Sequence, residues 1–124
     1  MNKTILVVDD EQFIRDAMSE KLQKAGFSTL VASDGEDCIK TAFEKHPDLI
    51  LLDVIMGKMD GMTAMRELRK DSWGNTVPII LLTQIEPDDQ MLQEIVEGRP
   101  TYYLVKSKFS LDEVVIKVQE RLNQ

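Results

Sequence analysis

Asp9 and Asp10 follow the apolar run Ile5-Leu6-Val7-Val8, and Asp53 follows Leu49-Ile50-Leu51-Leu52. Thr83 closes Ile79-Ile80-Leu81-Leu82, and Lys106 follows Leu104-Val105. If each run is a strand of one sheet, three carboxylates, a hydroxyl and an ammonium converge on a single edge. Carboxylates crowded within a few ångströms repel one another, and one takes up a proton unless a cation intervenes. A hard divalent cation such as Mg²⁺ relieves the repulsion, because it takes oxygen ligands, often one or two carboxylates plus waters, and leaves positions for phosphate oxygens. Lys106 then adds a second positive point and Thr83 a neutral donor. Such a set suits a tetrahedral dianion beside a metal-held carboxylate, the geometry of phosphoryl transfer.

The elements that must position these groups are legible in the pattern. Five β-rich runs punctuate the chain at Thr4–Val8, Ser28–Ala32, Leu49–Leu52, Pro78–Leu82 and Tyr102–Val105. Three of them contain four consecutive apolar residues, which suits strands covered on both faces. Helical stripes fill the gaps. Ile14, Ala17, Met18, Leu22 and Ala25 share one face, stopped by Gly26. Ile39, Ala42 and Phe43 follow a Ser33-Asp34 start and end before Pro47; Met62, Met65 and Leu68 form the third stripe. Leu92, Ile95 and Val96 predict a fourth, ended by Gly98, and Leu111, Val114, Val115, Val118 and Leu122 a fifth. The fifth opens with Ser110 and Glu113 at capping-box spacing. Alternating β and α elements predict an α/β fold, a doubly wound parallel sheet with five helices on its two faces. In such folds the site lies beyond the carboxyl ends of the strands, at the switch point.

Composition narrows the classes further. There are 22 acidic and 15 basic residues, for a net charge of -7, which argues against a nucleic-acid groove of clustered Lys and Arg. One cysteine, Cys38, supplies neither an internal disulfide nor a Cys-based zinc site. No apolar run approaches the roughly 20 residues of a membrane span, and the N-terminus meets two aspartates too soon for a secretory signal. No repeat or Pro/Gly/Ser linker divides residues 1–124. The expectation is one cytoplasmic domain with no membrane contact.

The chain resembles the receiver domain of two-component response regulators over essentially its whole length. The matching pieces are ILVVDDE at 5–11, PDLILLD at 47–53, M-x-x-x-D-G at 56–61, PIILLT at 78–83 and Y-L-V-K at 103–106. No single piece is specific; their order and placement at strand ends carry the resemblance. It implies a flavodoxin-like sheet with strand order 2-1-3-4-5. It further implies that Asp53 is the phosphoacceptor, attacking a phosphohistidine on a histidine kinase or histidine phosphotransfer protein. Asp10 and Asp53, with the backbone carbonyl of Ile55, are then Mg²⁺ ligands, and Asp9 assists through water. Lys106 pairs with a phosphoryl oxygen, while Thr83 turns toward the phosphoryl group and Tyr103 moves inward with it. The fourth helix, fifth strand and fifth helix form the read-out surface for a downstream protein. On this reading the domain is no enzyme toward other substrates, promoting only its own phosphorylation and dephosphorylation. It is a monomer or a weak phosphorylation-dependent dimer. With no effector segment before Gln124, it acts alone through protein contact or is a piece of a longer regulator.

Three positions depart from the family pattern. Gly57 replaces a usual proline, Gln84 a usual small residue after the switch hydroxyl, and Ser107 the proline after the lysine. Receivers typically have a cis bond after that lysine. Without proline the cis form costs roughly 2.5–4 kcal/mol, so a trans Lys106–Ser107 bond is expected in the unphosphorylated protein. The departures also sustain an alternative, a degenerate receiver that binds proteins without phosphorylation. An aspartate-nucleophile phosphatase of the dehalogenase type needs a second Asp two residues after the first, where Ile55 stands. A flavin binder needs a Ser/Thr/Gly-rich phosphate loop where Asp9-Asp10-Glu11 stands. Outside the site, His46 reads as a helix-end residue, Cys38 as a small helix residue, and Trp73 as remote from the carboxylates.

Overall fold

A computed structural model describes residues 2–122. Strands β1 (Thr4–Val8), β2 (Ser28–Ala32), β3 (Leu49–Asp53), β4 (Ile79–Thr83) and β5 (Tyr102–Val105) alternate with helices α1 (Gln12–Lys24), α2 (Gly35–Lys45), α3 (Gly61–Arg69), α4 (Asp89–Gly98) and α5 (Leu111–Leu122). All strands are parallel, in the order β2-β1-β3-β4-β5. This is the flavodoxin-like order that the resemblance implies.

The continuous apolar runs feed two cores at once, because successive side chains of a strand point to opposite faces. Leu6, Val8, Ile50, Leu52, Ile79 and Leu81 pack under α2 and α3. Ile5, Val7, Leu49, Leu51, Ile80 and Leu82 pack under α1 and α5. β3 and β4 are each shifted or extended by one residue relative to their apolar runs. Asp53 and Thr83 lie within the ladder, opposite Leu82 and Val105. Pro78 has no N–H and stays outside β4, its carbonyl accepting from the Ile50 N–H at 3.0 Å.

Local signals bound the helices, with one correction: Gly98, expected to end α4, is its last helical residue, and Arg99 behind it takes the left-handed conformation (φ 52). Gly26 has φ +100 behind α1, a left-handed turn that glycine adopts without strain. Asp34, Asp60 and Asp88 accept the Asp37, Thr63 and Met91 amides at the starts of α2, α3 and α4. Ser110 and Glu113 form the reciprocal capping box, at 2.9 and 3.1 Å.

Two stripes are corrected. On α4, Leu92 and Val96 are exposed, whereas Met91 and Ile95 pack on the core. Buried Gly98 lies so close to Met65 that a Cβ there would collide with its methyl group. The helix is therefore rolled toward its Met91–Ile95 row. On α2, Cys38 and Ala42 are buried while Phe43 faces outward, edge-on to Trp73.

One unanticipated side chain ties the back of the molecule together. Arg69, at the end of α3, donates to the carbonyls of Gly98, Gly74, Val77 and Arg99 at 2.8, 2.7, 2.7 and 3.2 Å. It thereby joins the C-terminus of α4 to the segment before β4. No helix among the described residues is long and apolar enough to cross a membrane.

Candidate functional site

The parallel ladder brings the predicted residues together. Asp9 is the first residue beyond β1, Asp53 and Thr83 are the last of β3 and β4, and Lys106 is the first beyond β5. Asp9, Asp53 and Thr83 are buried, at 2%, 3% and 0% exposure, whereas Asp10 faces solvent. Asp9, Asp10 and Asp53 each offer a carboxylate oxygen, and these atoms all lie within 4.8 Å of one another.

Neither Asp9 nor Asp10 spends itself capping α1. The N-cap is Glu11, without a side-chain cap bond. Asp9 Oδ1 instead accepts the Glu11 N–H at 2.9 Å, and Arg15 Nη1 donates to the Asp9 carbonyl at 2.8 Å. Arg15 thus fixes the backbone that carries the carboxylates. Sequence reading missed it, because a side chain aimed at a carbonyl leaves no pattern.

Lys106 begins a short 3₁₀ turn over Lys106–Lys108. Its Nζ donates to Asp9 Oδ2 at 3.0 Å and to Asp53 Oδ2 at 3.3 Å. Burial alone would lower its pKa, but Asp53 and Asp9 outweigh that and hold it above the ordinary value. No peptide bond among the described residues is cis, so Lys106–Ser107 is trans as expected. The ammonium arrives without the proline.

Asp53 is the most perturbed carboxylate. Burial pushes it up from 3.8 to about 6, with Lys106 and the nearby Ile55 N–H opposing the rise and the Asp9 charge adding to it. Its Oδ1 is buried, and no group among the described residues, the Ile55 N–H included, bonds it with good geometry. A buried, unsatisfied carboxylate oxygen is costly, and three neighbouring carboxylates exceed what one ammonium neutralises. A hard divalent cation fits both deficits. The turn behind Asp53 is close-packed. The Gly61 N–H donates to Val54 O at 2.8 Å, and a Cβ at Gly61 would collide with the Asp53 carbonyl. Here only glycine lets α3 start against the end of β3.

Thr83 and Tyr103 meet through the loop between β4 and α4. Thr83 Oγ1 accepts the Ile85 N–H at 3.3 Å, and the Tyr103 hydroxyl donates to the Ile85 carbonyl at 3.4 Å. Tyr103 is held above its usual pKa by burial, with the Thr83 hydroxyl opposing and Glu86 and Asp88 adding. Ile55 and Ile85 are both about half exposed at the mouth. They line a groove of about 330 Å³ with Met56, Met62 and Met91. His46 caps α2 in a left-handed conformation and stacks on Trp73 at 4.3 Å, remote from the carboxylates.

A parallel sheet of this order, with an acidic pocket and a lysine at its carboxyl edge, defines the class. The chain belongs to the response regulator receiver domain family, which matches residues 5–119. It is similar to the alkaline phosphatase synthesis transcriptional regulatory protein of Bacillus subtilis, 36% identical over 124 residues. That match takes in 100% of this chain and 50% of the relative, so the chain spans half the relative's length. Among solved structures, the Vibrio cholerae chemotaxis protein CheY4 superposes with a TM-score of 0.88 at 31% identity, covering 98% of this chain and 100% of that one. The Thermotoga maritima response regulator protein TrrA, solved in complex with Mg²⁺-BeF, gives 0.82 at 36% identity, covering 97% and 99%. The family is one of two-component signalling domains.

Proposed function

We propose that Asp53 accepts a phosphoryl group from a phosphohistidine of a histidine kinase or histidine phosphotransfer protein. The observation that carries this reading is the Asp53 carboxylate itself. It is buried beside two further carboxylates, holds Lys106 on one oxygen, and leaves the other unpartnered. An Asp53 oxygen attacks phosphorus and the phosphorus–nitrogen bond of the phosphohistidine breaks; the ring, protonated beforehand on its other nitrogen, leaves with the bonding electron pair as neutral imidazole. Asp10, Asp53 and the Ile55 carbonyl would hold Mg²⁺, with Asp9 acting through water. When bound, the cation neutralises the oxygens among which charge builds up.

The chain's own residues do the rest. Lys106 moves from bridging Asp9 and Asp53 to pairing with a phosphoryl oxygen. Thr83 gives up the Ile85 amide to donate its hydroxyl to the same group. Tyr103, released from the Ile85 carbonyl, turns inward and alters the α4–β5–α5 surface that a downstream protein reads. The Mg²⁺-BeF complex of the Thermotoga maritima relative supports a metal and phosphoryl-like group in this pocket.

Acetyl phosphate with Mg²⁺ should add one phosphoryl group by intact mass. Asp53→Ala or a chelator should abolish the adduct. An unchanged adduct on the Asp53→Ala protein rejects the assignment. No adduct on the wild type favours the alternative, a binding module that works without phosphorylation.

A further inference from the structure

The sheet has an open edge away from the carboxylates. Among the described residues β2 pairs with β1 alone, in register over all five residues. The Ser28 N–H donates to Lys3 O at 2.9 Å, and the Asp9 N–H donates to Ala32 O at 3.2 Å. Both ends of β2 therefore turn their hydrogen-bonding groups toward β1. These groups alternate sides with a period of two in a parallel strand. The N–H and C=O of Thr29 and Val31 consequently point away from the sheet.

Natural edges are usually blunted by a charge, a proline or a bulge. Residues 28–32 (STLVA) contain neither charge nor proline, and the register has no bulge. Val31 is 49% exposed. Beside the edge lies a groove of about 680 Å³ between α1 and α2, walled by Asp16, Ser19 and Glu20 on one side and Thr41 on the other, with no cationic side chain in its lining; Glu20 holds Lys24 from outside it in an exposed ion pair at 3.0 Å. Ser19 is 8% exposed, and its hydroxyl has no hydrogen-bond partner.

We infer that β2 is a docking edge for an extended, lysine- or arginine-bearing segment of another protein, added to the sheet as a sixth strand. The segment bonds to the outward N–H and C=O of Thr29 and Val31. It sets an apolar side chain on Val31, one cation against Asp16 and another against Glu20 in place of the exposed Lys24. Charge selects the occupant. A second copy paired edge to edge would set these carboxylates against their own duplicates and join two chains of net charge -7, which like-charge repulsion disfavours.

The isotopically labelled full chain, titrated with a short blocked peptide alternating lysine and valine, tests this by amide chemical shift and hydrogen exchange. Shifts should centre on Ser19, Thr29 and Val31, and exchange should slow at the Thr29 and Val31 amides. A glutamate–valine peptide and a lysine–proline peptide should not bind. Reversing Asp16→Lys and Glu20→Lys together should weaken binding by about threefold, the scale of one net exposed ion pair, since the pair at Glu20 replaces one with Lys24. Val31→Pro, which removes an outward N–H and no bond to β1, should abolish it. If Val31→Pro does not fold, the charge-reversed variant decides, since both its sites are exposed. Asp53→Ala should bind the peptide unchanged, separating this surface from phosphorylation. Shifts centred elsewhere, equal binding of either control peptide, unchanged affinity after charge reversal, or self-association through β2 would each overturn the inference.

Discussion

Replacing Asp53 by Asn should make the metal-free protein more stable at neutral pH, although it removes the proposed phosphoacceptor. In the native fold Asp53 is held at about 6 against an ordinary 3.8, first because burial disfavours its charge. A difference of about two units is worth about 3 kcal/mol, at 1.36 kcal/mol per unit. The sign follows from proton linkage. Between about pH 4 and pH 6 the native state keeps a proton that the unfolded chain releases. Wild-type stability is thus fully present below the unfolded value and is lost as pH rises through the native one. Asn carries no charge there, its carbonyl oxygen still accepts from Lys106, and Lys106 keeps Asp9 at 3.0 Å. Urea unfolding in chelator should place Asp53→Asn above wild type by about 1–3 kcal/mol near pH 8, with the gap closing below about pH 4. Mg²⁺ should then stabilise the wild type by mass action and leave the variant nearly unmoved. A variant no more stable than wild type near pH 8, or a gap that ignores pH, would refute the reasoning.

The phosphoaspartate should be long-lived, because Ile55 and Ile85, both about half exposed at the mouth, cannot orient a water. Ile55→Asn with Ile85→Glu should speed phosphate loss by about tenfold or more, and an already faster wild type would defeat the argument. Cys38, buried and pushed up to about 12, should carry about 10⁴-fold less thiolate than thiol near pH 8. A disulfide reagent should therefore label it no faster than the chain unfolds. Arg69→Met strips donors from four carbonyls and should cost about 2–4 kcal/mol in urea unfolding. Arg69→Lys should recover little of that loss, because an ammonium lacks the planar fork.

The sequence displays what periodicity and chain order determine, and hides what depends on rotation and on backbone acceptors. The apolar runs of β1, β3 and β4 had to be covered on both faces, so the layers and the convergence of Asp9, Asp53, Thr83 and Lys106 were legible together. The α4 stripe was misread because Leu92, Ile95 and Val96 satisfy the same 3.6-residue period as Met91 and Ile95. Only the contacts with β4 and α3 decide which row faces inward. Arg15 and Arg69 act on carbonyls, which every residue possesses, so nothing in their neighbours announces a partner. Gly61 stood in a matched motif, yet its reason, the closeness of the Asp53 carbonyl, belongs to the packing of α3 on β3.

The Arg69 bonds make α4 a cantilever. Its far end is clamped by two bonds of the guanidinium to the Gly98 and Arg99 carbonyls. Its near end rests Met91 on the core and, beyond the Asp88 cap, is restrained by separate weak links: the Tyr103 hydroxyl on Ile85 and the exposed Lys108–Glu86 ion pair. A ten-residue helix is about 15 Å long at 1.5 Å per residue. A tilt of about 10° about the clamp carries the near end by about 2.5 Å and the middle by half as much. The exposed side chains of Leu92 and Val96 ride at different points of that arm. A partner seated over Leu92 would feel a larger displacement than one seated over Val96, so a tilt set off by the proposed phosphorylation would be graded along the helix by distance from its fixed end.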